Sequence, residues 1–92
     1  MLKIVPSNHF KKDLKLAKKR GLDLTLLKNT VDLLASGQTL PASYRDHPLK
    51  SDLKDFRGCH IKPDWLLIYR IDNKILELYL FRTGAHSDLF KK

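Results

Sequence analysis

Apolar residues at the start of the chain form one short β-prone run, followed by positions at helical spacing. Residues 2–5 are β-prone and end at Pro6, which cannot donate to a strand ladder, so a first strand is predicted there. Ser7 or Asn8 can cap a helix over residues 8–20, and a glycine follows that helix. The apolar positions of this helix are Phe10, Leu14 and Ala17.

A second helix is predicted directly after the first, which makes an αα-hairpin. Asp23 can cap this helix, and Gly37 follows its end. Its apolar positions form one stripe, made of Leu24, Leu27, Val31, Leu34 and Ala35. The next segment, residues 40–48, contains two prolines and His47 and has no periodicity, so it is predicted to be a loop held by tertiary contacts.

The second half of the chain changes to a β pattern. Three strands are predicted, over residues 54–61, 65–71 and 75–81. Asp72 and Asn73 are expected to make the turn between the last two, because asparagine tolerates the left-handed conformation that hairpin turns require. The middle strand is nearly all apolar, which is typical of a central strand. A short turn or helix is expected over residues 85–90.

These elements predict an α+β fold, in which an N-terminal strand precedes a two-helix hairpin packed on an antiparallel sheet, with a short C-terminal helix. The chain has 92 residues, which suffices for one hydrophobic core and is short for two ordinary domains. Residues 1–92 are therefore expected to form a single domain.

The charge balance favours a polyanionic partner. The chain has 18 Lys and Arg residues against 10 Asp and Glu, a formal net charge of +8. Nucleic acid is the commonest such partner, although an acidic protein or an anionic membrane surface would also satisfy the balance. The first helix is either simply solvated on its charged faces or binds RNA or an acidic partner with them. Its basic residues are Lys11, Lys12, Lys15, Lys18, Lys19 and Arg20.

The cysteine count and the apolar runs bear on the compartment. Cys59 is the single cysteine, so no internal disulfide can form, which suits a reducing cytoplasm. No apolar run approaches the roughly 20 residues that a membrane helix needs, and the N-terminus lacks the apolar stretch of a signal peptide. A soluble, cytoplasmic protein is expected.

Residues that can transfer protons or bind phosphate collect around the ends of the predicted strands. His47 precedes the second strand and His60 ends it, while Asp64 opens the third. Arg82 and His86 follow the fourth strand. In an antiparallel meander the end of the second strand, the start of the third and the end of the fourth share one edge. These side chains are therefore expected to converge.

A set of this kind can cleave RNA. The 2′-hydroxyl must lose a proton, the adjacent phosphate must be neutralised, and the 5′-oxygen must gain a proton. Histidine can take either proton-transfer role near neutral pH, and the planar fork of arginine matches phosphate. The alternative is a module that binds RNA or protein without cleaving, but Lys and Arg, which stay charged, would serve a mere clamp better than histidines.

Three segments of the chain resemble the YafQ toxins, which belong to the RelE/ParE toxin superfamily. They are DHPLK at 46–50, FRGCHIKPDWLLIY at 56–69 and RTGAHSDLF at 82–90. The basic first helix and the leucine-rich second helix also fall where that family has them. Ser51 and Leu53 stand where relatives tend to have glycine and an aromatic residue, which removes no candidate catalytic group.

The resemblance implies a RelE-like fold and a cellular role. YafQ-type toxins cleave mRNA on the ribosome without a metal or other cofactor, and a cognate antitoxin holds them inactive. The free chain is then expected to be monomeric and to form hetero-oligomers with its antitoxin. A gyrase inhibitor of the ParE branch is a further alternative, against which the histidine-rich motif argues.

The resemblance also implies roles for individual residues. His47, His60, Asp64 and His86 match the catalytic set, and Arg82 matches the phosphate-stabilising arginine. His86 is the best candidate for the general acid, whereas the base stays open among His47, His60 and Asp64.

Aromatic and basic residues are expected to contact the RNA substrate. RNA contacts are expected from Trp65, Phe90, Lys11, Lys15 and Lys18. Trp65 is ambiguous, because a large aromatic residue at the head of an apolar strand is either part of the core or a platform for a base. No metal site is expected, since the chain lacks Cys or His at zinc-site spacing.

Overall fold

A computed structural model describes residues 1–90 of the chain. The elements are β1 (Lys3–Pro6), α1 (Asn8–Lys19), α2 (Leu24–Ala35), β2 (His47–Pro48), β3 (Arg57–Lys62), β4 (Trp65–Asp72), β5 (Glu77–Gly84) and α3 (His86–Leu89). Short 3₁₀ turns at Ala42–Tyr44 and Ser51–Leu53 flank β2. The predicted α+β class is confirmed. None of the helices within residues 1–90 is long and apolar enough to cross a membrane.

The five strands form one mixed sheet, in the order β1-β5-β4-β3-β2. The three later strands are antiparallel, as predicted, but β1 runs parallel to β5. Local sequence does not specify this pairing, because the two strands are separated by most of the chain. Pro6 lies at the end of β1, and an edge strand tolerates a residue that has no N–H to donate.

Four expectations about the strands and turns are wrong. His47–Pro48, expected in a loop, forms the short strand β2 and pairs with β3. Residues 54–56 precede β3, and β5 begins only at Glu77. The hairpin turn has four residues, 73–76, and the left-handed residue is Leu76 with φ 54°. Asp72 stabilises this longer turn, since its Oδ1 accepts a hydrogen bond from the backbone N–H of Lys74 at 2.9 Å.

The two long helices begin at the caps that the sequence predicts. Ser7 Oγ accepts from the N–H of Phe10 at 2.9 Å, and Asp23 Oδ1 accepts from the N–H of Thr25 at 3.0 Å. Ser7 Oγ also donates to the carbonyl of Phe81 at 2.6 Å. The first cap therefore also fixes the start of α1 against β5.

The helices cover one face of the sheet. Alternate residues of β4 share a core with the apolar stripes of α1 and α2, a core that includes Trp65, Leu67, Tyr69, Phe10, Leu27 and Leu34. Since successive strand residues point to opposite faces, the intervening Leu66 and Ile68 face away from the helices. Both are buried all the same. They line a groove on that face.

Candidate active site

Three histidines line one groove on the face of the sheet that points away from α1 and α2. His47 comes from β2, His60 from β3 and His86 from the start of α3. Lys50 and Phe90 line the same groove. We call this the histidine groove. The structure thus brings together three of the five residues predicted to be catalytic, and it adds a lysine.

The strand register explains this convergence. His47 pairs with Gly58, Gly58 pairs with Ile68, and Ile68 pairs with Arg82 in one row across four strands. A side chain at Gly58 would crowd Leu49, whose Cδ2 lies 3.2 Å from the position of a Cβ there. The glycine therefore allows the chain that follows His47 to lie close against β3.

The ring of His47 has a defined orientation. Its Nδ1 lies 2.7 Å from the carbonyl oxygen of Arg45, a residue in the left-handed conformation with φ 49°. A carbonyl oxygen can only accept, so Nδ1 carries the hydrogen, and the neutral ring has its lone pair on Nε2. His47 is exposed, and it is therefore suited to accept a proton through Nε2.

The residue before His47 is tied to the core. Asp46 Oδ1 accepts a hydrogen bond from the buried Tyr69 hydroxyl at 2.6 Å and another from Arg57 Nε at 3.2 Å. Burial raises the pKa of Tyr69 above its ordinary value, and the Asp46 carboxylate adds to this effect. The tyrosine therefore stays protonated and remains a donor. These are tertiary contacts of the kind predicted to hold residues 40–48.

His60 and His86 are held more loosely than His47. His60 Nδ1 lies 3.3 Å from the carbonyl oxygen of Pro63, which favours the same tautomer through a longer contact. His86 is exposed at the start of α3, and its ring centroid lies 4.8 Å from that of Phe90. A tilted ring contact of this kind leaves both ring nitrogens available to a substrate.

Arg82 is oriented by an acidic residue of α1. Its Nε donates to Asp13 Oδ2 at 2.7 Å and its Nη2 to Oδ1 at 3.1 Å, while the N–H of Thr83 also donates to Oδ2 at 3.1 Å. These hydrogen bonds to Asp13 raise the pKa of Arg82 above its ordinary value. Nη1 takes no part in the pair. Arg82 also lines a second groove with Phe81, Lys50 and Phe90.

Like Arg82, Asp64 and Trp65 are absent from the lining of the histidine groove. Asp64 sits in the turn between β3 and β4 and lines a recess with Asp13, Arg20 and Arg82 on the other side of Arg82. Trp65 is only 2% exposed, and its Nε1 donates to Thr83 Oγ1 at 2.9 Å. Trp65 is therefore a core residue and presents no ring face to a nucleotide, which corrects the expectation of a stacking platform.

The remaining predicted contacts lie on exposed surfaces. Lys11, Lys15 and Lys18 are all exposed on α1, and Phe90 is partly exposed beside His86.

Cys59 is buried, and burial raises its pKa to about 12, so the thiol stays protonated at neutral pH.

Three residues that line the grooves or contact their residues were not recognised from the sequence alone. Asp13 had a signal, because it is the only acidic residue within the basic helix Asn8–Lys19. Lys50 lay within a motif but was not assigned a role. Asp46 accepts a hydrogen bond from Tyr69, which is 23 positions away, and no local pattern reveals this contact.

The comparisons with known proteins identify relatives of the whole chain. Residues 2–91 match the family described as the bacterial YafQ toxin of type II toxin-antitoxin systems. The mRNA interferase toxin YafQ of Escherichia coli strain B is 47% identical over 85 residues, which cover 91% of this chain and 90% of that protein.

Solved structures agree with this family. The crystal structure of a metal-bound toxin from Helicobacter pylori has a TM-score of 0.92 and 53% identity, covering 98% of this chain and 100% of that one. YafQ in the E. coli DinJ-YafQ complex has a TM-score of 0.89 and 44% identity, covering 98% and 99%. Within residues 1–90 of this chain, no three His, Cys, Asp or Glu side chains come together in a way that would hold a metal ion.

Proposed function

The chain belongs to the YafQ family of bacterial type II toxins, and we propose that it acts as an mRNA interferase, an endoribonuclease that stops translation by cutting mRNA. One observation carries this proposal: three histidines line a single groove whose walls include a lysine, beside an oriented arginine. These groups suffice for cleavage by the RNA's own 2′-hydroxyl.

The first step is removal of the 2′-proton, and His47 is the best-placed base. Its contact with the Arg45 carbonyl leaves the lone pair of the neutral ring on Nε2, and the contact is 0.6 Å shorter than the corresponding one of His60 (2.7 against 3.3 Å). The 2′-oxygen then attacks the adjacent phosphorus. General base catalysis of this kind contributes about 10²–10⁴-fold in rate.

The second step is departure of the 5′-oxygen. As the 2′-oxygen–phosphorus bond forms, the bond from phosphorus to the 5′-oxygen breaks, which leaves a 2′,3′-cyclic phosphate. His86 gives its proton to the departing oxygen, while Lys50 and Arg82 stabilise the additional negative charge on the phosphate. Phe90 beside His86 is available to stack on the base of a neighbouring nucleotide.

The partners follow from the family and from the relatives. E. coli YafQ forms a complex with DinJ, and we propose that an antitoxin protein likewise neutralises this chain, which is monomeric when free. We also propose that the substrate is mRNA bound to the ribosome in the cytoplasm. The positive charge of the chain suits an RNA surface.

The direct test is to incubate the purified chain with translating ribosomes and to map the new mRNA ends. Cleavage is expected, and it should persist with an excess of a chelator that is selective for transition metals and leaves ribosomal Mg²⁺ in place. Protein groups supply the base, the acid and the phosphate cation, so no added metal is needed. Loss of cleavage on intact ribosomes in that chelator would overturn the metal-independent mechanism.

Salt dependence tests the role of α1. Replacing Lys11, Lys15 and Lys18 with glutamine is expected to flatten the log–log salt slope of binding to single-stranded RNA by up to roughly 2, at about 0.7 per phosphate contact. The measurement is the dissociation constant over a range of salt concentrations. A matched control replaces three exposed lysines elsewhere, Lys3, Lys28 and Lys74. Equal flattening in both triple variants would assign the effect to net charge rather than to α1.

A further inference from the structure

A second aromatic cluster lies on the same face of the sheet as the histidine groove and has no part in the mechanism above. Phe56 and Phe81 stack with their ring centroids 4.8 Å apart, and Tyr79 lies 6.3 Å from both. All three rings are partly exposed. We call Phe56, Tyr79, Phe81 and the neighbouring Arg70 the aromatic face.

Arg70 gives this face a positive charge. Its guanidinium carbon lies 5.1 Å from the centroid of Phe56 and 5.3 Å from that of Tyr79, so both rings make cation–π contacts with the guanidinium. Arg70 pairs with Tyr79 in the strand register, and it points away from the core because its neighbour Tyr69 points into it. The residue is exposed. Its position is thus defined while it remains open to a ligand.

The aromatic face continues into the histidine groove. Phe81 and Arg82 line a groove together with Lys50 and Phe90, and those last two residues also line the histidine groove. A strand that passes His86 and Phe90 therefore has a path over Lys50 toward Phe81. Along that path, aromatic rings and cationic groups alternate.

We propose that the aromatic face binds nucleotides of the single-stranded RNA that flank the cleaved bond, with Arg70 as its central contact. Single-stranded RNA is bound by aromatic rings and guanidinium planes on which bases stack, combined with cations that contact phosphates. The aromatic face offers both, and it is continuous with the groove that is proposed to cut RNA. This inference rests on the proposed function, since it assigns a subsite for the same substrate.

The test compares a short RNA with a longer one. Cleavage during the measurement is prevented with the His86→Ala background, and binding is followed by fluorescence anisotropy. The probes are a labelled trinucleotide and a labelled unstructured RNA of roughly ten nucleotides, a length within the range that one small binding domain covers. The Arg70→Gln variant is expected to bind the longer RNA on the order of tenfold more weakly and the trinucleotide with little change.

Two further variants separate this subsite from net charge. Lys74→Gln removes the same charge from an exposed residue of the turn 73–76 and is expected to leave the ratio between the two RNAs unchanged. Arg70→Lys keeps the charge but loses the planar group. In the His86→Ala background it should therefore bind the longer RNA more weakly than the chain with Arg70 does. Circular dichroism checks the fold of each variant.

Several outcomes would overturn the subsite. One is wild-type binding of the longer RNA by Arg70→Gln, and another is an equal loss in Lys74→Gln. A third is a loss of antitoxin binding by Arg70→Gln with RNA binding intact, which would assign the face to the protein partner. The proposed function is tested separately, by measuring whether the parent chain cleaves ribosome-bound mRNA. If that cleavage occurs and Arg70→Gln leaves RNA binding unchanged, only the subsite fails.

Discussion

Replacing His86 with alanine is expected to lower the single-turnover rate of mRNA cleavage by about 10²–10⁴-fold, because the departing 5′-oxygen loses its proton donor. The fold should survive. His86 is exposed at the start of the short helix α3, which other contacts also hold, including the ion pair of 2.8 Å between Arg20 and Asp88. The measurement is single-turnover cleavage of ribosome-bound mRNA, with circular dichroism of the variant.

The pH profile identifies the role of His86. An acid must carry its proton to act, so the rate of the parent chain should fall on the alkaline side as that proton is lost, and this fall should disappear in His86→Ala. His9→Ala is the matched control, since His9 is an exposed histidine on α1 outside the groove. Cleavage near the parent rate by a folded His86→Ala variant would refute the acid assignment and transfer the role to His47 or His60.

Local signals predicted the helices correctly. The caps Ser7 and Asp23 act within three residues of their own position, and the apolar stripes of α1 and α2 follow one helical period. The same holds for β4, whose continuous apolar run indicates a strand buried on both faces. Features of this kind are determined by neighbours along the chain, so a sequence reveals them.

Pairings across the chain were less predictable. The strand β2 has only two residues and depends on its partner β3, where Gly58 allows the close approach of Leu49. The parallel contact of β1 with β5 likewise depends on how α1 and α2 return the chain to the sheet. Neither the length nor the composition of β1 or β2 contains that information.

In the candidate site, too, some features could be predicted from local sequence and others depend on contacts between distant residues. The strand pattern predicted that His47, His60, Asp64, Arg82 and His86 would converge, and the structure places only the three histidines in one groove. The separation of Asp64 was not predictable, because the register shifts between His60 and Lys62, just before the turn that contains Asp64. Trp65 is buried and bonded to Thr83, 18 positions away, a contact that no local pattern reveals.

Arg82 should contribute through charge rather than through proton transfer. Replacing it with alanine is expected to lower cleavage by about 10²–10³-fold, as for loss of one group that stabilises the charge of a transition state. Both limbs of the pH–rate profile should remain, since arginine does not titrate in this range. Arg82→Lys is expected to recover part of the activity only, because an ammonium group cannot make the two parallel bonds to Asp13. A changed pH profile in Arg82→Ala would contradict this assignment.

Asp13 then acts by positioning Arg82, and a double-mutant cycle measures this. Asp13→Asn keeps an acceptor for the N–H of Thr83 but loses the ion pair, so the guanidinium should move and cleavage should fall on the order of 10- to 100-fold. In the Arg82→Ala background the same change should cost nothing further, because the group that Asp13 orients is already absent. Asp13→Glu should restore part of the rate, which a simple loss of folding stability would not explain in a variant shown to be folded. If the losses from Asp13→Asn and Arg82→Ala multiply in the double variant, Asp13 acts independently of Arg82, and the ion pair is structural rather than part of the site.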